Sequence, residues 1–311
     1  MRAGPFIHGR CTTRGLMVQV LLALSPVVLA ALWRHGWSAA ALFGAALAGS
    51  WLTDVLCDRK NALDGSAAVT GLIFACLLPL SAPWWIAAAG GAIAIGLGKH
   101  LFGGLGQNPF NPSALSRAIL MGIIPATFFA PGWEFDGVTL ATPLAKEIDS
   151  MSPSLGDLAL GQYPGTLAEA FPLAILAGGL LLVALRTIDW RIPLSHLAAI
   201  SILAMILPSG ARLAGHAPWL AGNPLVHLLA GGVLLSAFFM LTDPVTAPFT
   251  AKGRVAFAIL AAFYTMIVRF YTPYPDGAIL AILLANASVP LIDGASFRHW
   301  PRWDSAGERG A

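Results

Sequence analysis

Charge is what this chain lacks. Of its 311 residues only 11% are charged while 57% are hydrophobic, and a soluble domain carries about 25% charged residues. That shortage excludes a water-facing coat around one apolar core and places the chain in lipid. Cysteine is scarce too. Cys11, Cys57 and Cys76 show no paired spacing, which leaves them as small buried hydrophobes or free thiols rather than a zinc or iron–sulfur ligand set. No dinucleotide fingerprint or P-loop is present, so this chain is not expected to bind NAD itself. Nothing in it reads as a nucleic-acid surface. The first apolar run, Leu16 to Trp33, has no small-residue cleavage pattern after it, and reads as a retained membrane helix rather than a signal peptide.

What the chain does have is long apolar runs punctuated by 33 glycines and 22 prolines, a mixture that suits closely packed or broken membrane helices. The runs predict an all-α integral membrane protein of ten helices, near 16–33, 39–57, 66–80, 84–98, 112–126, 168–185, 192–207, 224–241, 255–270 and 277–292. Ser66 to Leu80 is too short to cross a hydrocarbon core of about 30 Å at about 1.5 Å per residue.

With each run crossing once from a cytoplasmic N-terminus, 14 of the 18 lysines and arginines fall on one side. The other side holds Arg34, Lys146, Arg212 and Arg269. The positive-inside rule requires that asymmetry of a correct count and orientation. Both termini are then cytoplasmic. The chain divides into a first membrane half (1–126), an outer loop (127–167), a second membrane half (168–295) and a cytoplasmic tail (296–311). The loop carries Glu134, Asp136, Glu147, Asp149 and Asp157 against Lys146, and faces the periplasm of a Gram-negative cell.

The two halves carry proline- and glycine-broken segments at matching places. GGLGQNPFNP (Gly103 to Pro112) and the Ser81–Pro83 turn mark the first; TDPVTAP and YTPYPDG (Tyr271 to Gly277) mark the second. Five helices per half make the halves enter from opposite sides, the pattern of an inverted repeat whose short helices meet at a central site.

Four motifs in order carry a resemblance: DGSAAVTGLIFACLLP (Asp64 to Pro79), GGLGQNPFNPSALSRAIL (Gly103 to Leu120), FFMLTDPVTAPFTAKGR (Phe238 to Arg254) and YPDGAILAILLAN (Tyr274 to Asn286). From about residue 15 to 295 the chain resembles the D-subunit family of the Rnf complex, an ion-translocating ferredoxin:NAD oxidoreductase. It is more distantly similar to the B subunit of the sodium-pumping NADH:quinone reductase. The resemblance implies ten helices in two inverted halves. It also implies FMN joined through its phosphate to a threonine by a dedicated flavin transferase on the outer side. A second, non-covalent flavin, riboflavin, is implied as well. The implied partners are the A, B, C, E and G subunits of the complex, the transferase and membrane lipid, in a bacterial inner membrane. Electrons would arrive from and leave to those other subunits, and the helical core would couple their transfer to sodium ions or protons.

Carried over residue by residue, the acceptor motif follows Asp136 and runs Thr139-Leu140-Ala141-Thr142, so Thr142 is the implied acceptor and Thr139 the alternative. Leu140 stands where the family pattern has glycine. Pro143 keeps Thr142 out of a helix and extended, which suits a hydroxyl that must enter a transferase.

Other candidates have bland readings beside the functional ones. Asn111 precedes Pro112 at a helix start and is placed to cap it; with Asn108 and Arg117 it is also placed to meet an anionic cofactor group. Thr70 lies inside an apolar helix, bonding backbone or touching a flavin ring. Asp54, Asp243 and Asp276 are the carboxylates nearest the membrane core and candidates for the coupling cation, although Asp54 also reads as interfacial and Asp276 as a cap. Lys99-His100 reads as an interface anchor at a helix end, and Trp84, Trp85 and Trp133 as belt residues.

Overall fold

A computed structural model describes residues 12–59, 62–128, 156, 165–167, 171–207, 223–272 and 277–297. Those residues are mostly helical, and no strand occurs among them. Helices α1 (Thr13–His35), α2 (Trp37–Cys57), α3 (Ser66–Cys76), α4 (Trp84–Gly96) and α5 (Pro112–Ile123) come from the first half. The second half supplies α6 (Pro172–Ala184), α7 (Arg191–Ile206), α8 (Pro224–Leu229), α9 (Ala251–Tyr271) and α10 (Ala278–Phe297). After α8 the chain resumes at Val233–Leu235 and passes into a π-helical turn, Ser236–Met240.

Local chemistry sets the helix ends. The Thr12 hydroxyl accepts the Gly15 N–H at 3.1 Å, and Gly36, with φ of 53°, ends α1 and turns directly into α2. Asn111 and Asn223 cap α5 and α8, each followed by proline at the first helical position, where its missing N–H costs nothing. The Thr250 hydroxyl accepts the Gly253 N–H at the start of α9.

The helices are apolar outside as well as inside. On α1, Ala23, Leu24, Val27 and Ala31 are buried at helical spacing, while Leu22, Leu29 and Trp33 are exposed. Five helical stretches are long and apolar enough to cross a membrane: Thr13–His35, Trp37–Cys57, Trp84–Phe102, Ala251–Tyr271 and Ala278–Phe297. Helices α3, α6 and α7 are apolar but shorter.

Without a hydrophobic driving force between helices in lipid, close backbone approach and dispersion hold them together. Glycine permits that approach. A Cβ on Gly91 of α4 would lie 2.3 Å from the Ala46 carbonyl of α2, and one on Gly178 of α6 would lie 1.9 Å from the Ala23 carbonyl of α1. Accordingly α2 packs chiefly on α4 and α3, α9 on α7 and α10, and α1 on α6. One large apolar cluster with Phe74, Phe238 and Phe257 spans both halves, and a smaller one around Ile200 and Met266 joins α7 to α9.

Two segments differ from the runs in the sequence. Helix α3 stops at Cys76, short of Leu80, because the chain beyond it turns to meet the end of the outer loop. There the Leu167 N–H donates to the Leu78 carbonyl at 2.9 Å, and Pro79 and Thr166 form an isolated antiparallel bridge. The 224–241 run is not one helix, since it breaks at Ala230–Gly232, where Gly231 and Gly232 have φ of 74° and 67°.

Candidate functional site

A partly open cavity of about 140 Å³ lies where both halves meet. Met17 and Val20 of α1, Val69 and Thr70 of α3, and the α4–α5 hairpin with Leu105, Asn108 and Asn111 line it from the first half. From the second half come Leu182 at the end of α6, Thr187 and Ile188, then Phe238, Phe239, Thr242 and Asp243. The wall is largely apolar, with amide, hydroxyl, ammonium and carboxylate groups among it. Such a wall receives a flat apolar ring with a polar edge.

Three of the expected site residues, Thr70, Asn108 and Asn111, meet here. Asn111 does more than cap. Its Oδ1 accepts the Ser113 and Ala114 N–H groups at 3.1 and 3.2 Å, while its Nδ2 donates to the Met240 carbonyl at 3.3 Å. Its backbone N–H donates to Asn286 Oδ1 at 3.0 Å, and Asn286 Nδ2 reaches the Thr246 carbonyl at 3.2 Å. Two buried amides thus tie α5, α10 and the segment after the π-turn into one wall. The Ser113 hydroxyl donates to the Thr70 carbonyl at 3.0 Å, fixing α5 to α3.

Arg117 is not brought to the cavity. It is buried further along α5, with its guanidinium 5.3 Å from the Phe128 ring centroid. Thr142, Thr139 and Asp136 lie outside the described residues, as does Asp276.

Beside the cavity lies a buried ion cluster whose members looked unrelated in the sequence. Lys99, 5% exposed, donates from Nζ to Asp54 Oδ1 and to the Ser66 hydroxyl, both at 2.8 Å, with Asp64 Oδ2 at 3.7 Å. His100 Nε2 lies 2.6 Å from the same Asp54 oxygen. Asp54 is fully buried, and its Oδ2 has no partner among the described residues. Lys99 is therefore not a water-facing anchor: it is buried against Asp54 in the last turn of α2. A carboxylate buried in the last turn of an apolar helix demands a cation, and that demand was the signal pointing to Lys99. Asn286 gave a similar signal as an amide inside an apolar run. Asp243 closes a turn after the π-segment, accepting from the Val245 N–H and, at 3.3 Å, from the Thr246 hydroxyl.

In this shape the cavity is close to the roughly 150 Å³ of an engineered pocket that takes benzene. A three-ring isoalloxazine is larger than that enclosed space, and the cavity is partly open.

The fold and the cavity together define a class: a helical membrane protein whose short and broken helices converge on an internal site. More particularly, the chain belongs to the NQR2, RnfD, RnfE family, whose model matches residues 1–298. It is 39% identical over 306 residues to the D subunit of the Na(+)-translocating ferredoxin:NAD(+) oxidoreductase complex of Acetobacterium woodii, covering 94% of this chain and 91% of that protein. It is 36% identical to the D subunit of the ion-translocating oxidoreductase complex of Halorhodospira halophila, covering 96% and 93% of the two chains. The corresponding protein of Escherichia coli K12 is likewise 36% identical, over 94% and 95%.

Proposed function

We propose that this chain is the membrane subunit of an ion-translocating ferredoxin:NAD oxidoreductase complex that carries FMN on Thr142 and relays electrons between other subunits. Family membership over residues 1–298 carries this reading, because that span includes the Thr139–Thr142 motif. The FMN supplies the redox chemistry; the chain holds it in place and sets its surroundings. In this reading the neighbouring A, B, C, E and G subunits supply and accept the electrons. A flavin transferase makes the phosphoester, with Thr139 as the alternative acceptor. Transfer is coupled to sodium ions or protons, and a non-covalent riboflavin is the second flavin.

The proposal includes ten membrane segments in two inverted halves, with cytoplasmic termini and a periplasmic loop in the bacterial inner membrane. Matched packing supports it. In each half the fourth helix packs on the second and the fifth, α4 on α2 and α5, α9 on α7 and α10, while α1 and α6 pack on each other.

The test is mass spectrometry of the protein co-expressed with its transferase. An FMN-sized addition on the peptide holding Thr142, lost in Thr142→Val, is expected. An unmodified peptide from a competent host overturns the assignment. A second reading, a solute carrier without redox chemistry, draws on the cavity between broken helices; it requires purified protein free of bound flavin.

A further inference from the structure

The break in α8 leaves backbone carbonyls that need partners in an apolar interior. One side chain from another helix supplies them. Arg269 of α9, 4% exposed, donates from Nη1 to the His227 carbonyl at 2.8 Å. From Nη2 it donates to the carbonyls of Ala230 at 2.9 Å and Gly231 at 3.0 Å. A planar guanidinium fork satisfies several such acceptors at once, and its charge complements the negative end of a helix dipole. The next residues, Gly231 and Gly232, hold left-handed φ values that other residues adopt only under strain.

Past the break the chain becomes the cavity wall. The π-turn closes with the Leu241 N–H on the Ser236 carbonyl at 2.8 Å, and the Thr242 hydroxyl bonds the Phe238 carbonyl at 2.6 Å. Phe238 sits against Gly179 of α6, Phe239 reaches toward Gly178, and both line the cavity with Thr242. A rotation at Gly231–Gly232 moves this whole stretch. Arg269 does not itself line the cavity; its clamp at Gly231 lies seven residues before Phe238 of the wall.

We infer that Arg269 is a positioning residue for the cavity. By clamping the carbonyls at the α8 break it holds the Val233–Val245 wall in its present setting, and its release lets the wall turn and widens the cavity for a bulkier planar ligand. The inference concerns the wall itself and stands whichever ligand enters, so it does not depend on FMN at Thr142.

The test uses the assembled complex in membranes, with Cys11→Ser, Cys57→Ser and Cys76→Ala as background and Thr242→Cys as reporter. Two thiol reagents are compared, a small methanethiosulfonate and a bulky fluorescein maleimide. In the parent the bulky reagent is excluded. In Arg269→Gln the bulky-to-small rate ratio is expected to rise at least tenfold, with Arg269→Lys intermediate. Gly232→Ala strains the same break without touching the charge and is expected to act in the same direction, so it carries the test if the Arg269 variants fail to assemble. Ser116→Cys, fully buried on α5, reports general loosening. An unchanged ratio at Thr242→Cys, or an equal rise at Ser116→Cys, overturns the inference.

Discussion

Replacing Lys99 with methionine removes the ammonium and keeps most of the stem volume. The structure fixes what is left behind: Asp54, fully buried, with one oxygen shared between Lys99 and His100 and the other without a partner among the described residues. Stranding one charge of a buried pair costs about 3–5 kcal/mol. His100 stays against the same oxygen, so the lower end of that range is expected. Asp54→Asn is milder, because Lys99 keeps the Ser66 hydroxyl and Asp64; about 1–3 kcal/mol is expected. The double variant Asp54→Leu/Lys99→Met removes both charges and is expected within about 1 kcal/mol of the parent. Equilibrium unfolding in lipid nanodiscs, read as a double-mutant cycle with Asp54→Leu and Lys99→Met as its singles, measures all of these. A Lys99→Met loss below about 1 kcal/mol, or a double variant as unstable as the summed singles, refutes the account of the cluster.

Asn286→Ala strips partners from the Asn111 N–H and the Thr246 carbonyl, and a loss of about 1–3 kcal/mol is expected in the same assay; a loss under about 0.5 kcal/mol refutes the cross-tie. At Asp189, burial raises the carboxyl, but the Arg191 N–H and the Arg254 guanidinium outweigh it and hold the group below the usual carboxylate range. A lowered folded-state value means stability present above the unfolded value of about 3.9 and lost as pH falls through the folded one. Arg254 is about a third exposed, so Asp189→Asn is expected to cost no more than about 1 kcal/mol near neutrality. Parent and variant should converge in acid; a gap that widens below about pH 3.9 refutes the sign.

The elements legible in the sequence were those whose causes are local. Helices α1, α2, α9 and α10 lie within a few residues of their apolar runs, because Thr12, Gly36 and Thr250 mark their ends in place. Asn111 was legible as a cap for the same reason. Its second duty was not, since Asn286 lies 175 residues away. The early end of α3 depends on Thr166 and Leu167, contributed from beyond the outer loop. The pair Gly231-Gly232 announces a weak point in the eighth run, but Arg269 decides that it breaks open rather than merely bends. Lys99 reads as solvated because a cation after a helix end normally is; the burial of Asp54, in the last turn of α2, reveals what it neutralises.

Lys99 and Arg269 occupy corresponding places, and the difference between them is informative. Each lies toward the C-terminal end of the fourth helical segment of its half, but they reach opposite ends of the third, Lys99 the start of α3 at Ser66 and Arg269 the end of α8 at its break. The partners differ in kind. Lys99 is held mainly by side chains, two carboxylates and a hydroxyl, so substitution of a single group alters its hold. Arg269 reaches three backbone carbonyls, those of His227, Ala230 and Gly231. Both bear on one cavity, Lys99 as part of its lining and Arg269 through the wall that begins at Val233. A change of charge at Asp54 is thus the smallest perturbation that reaches that cavity, and the break in α8 supplies the joint about which its opposite wall gives way.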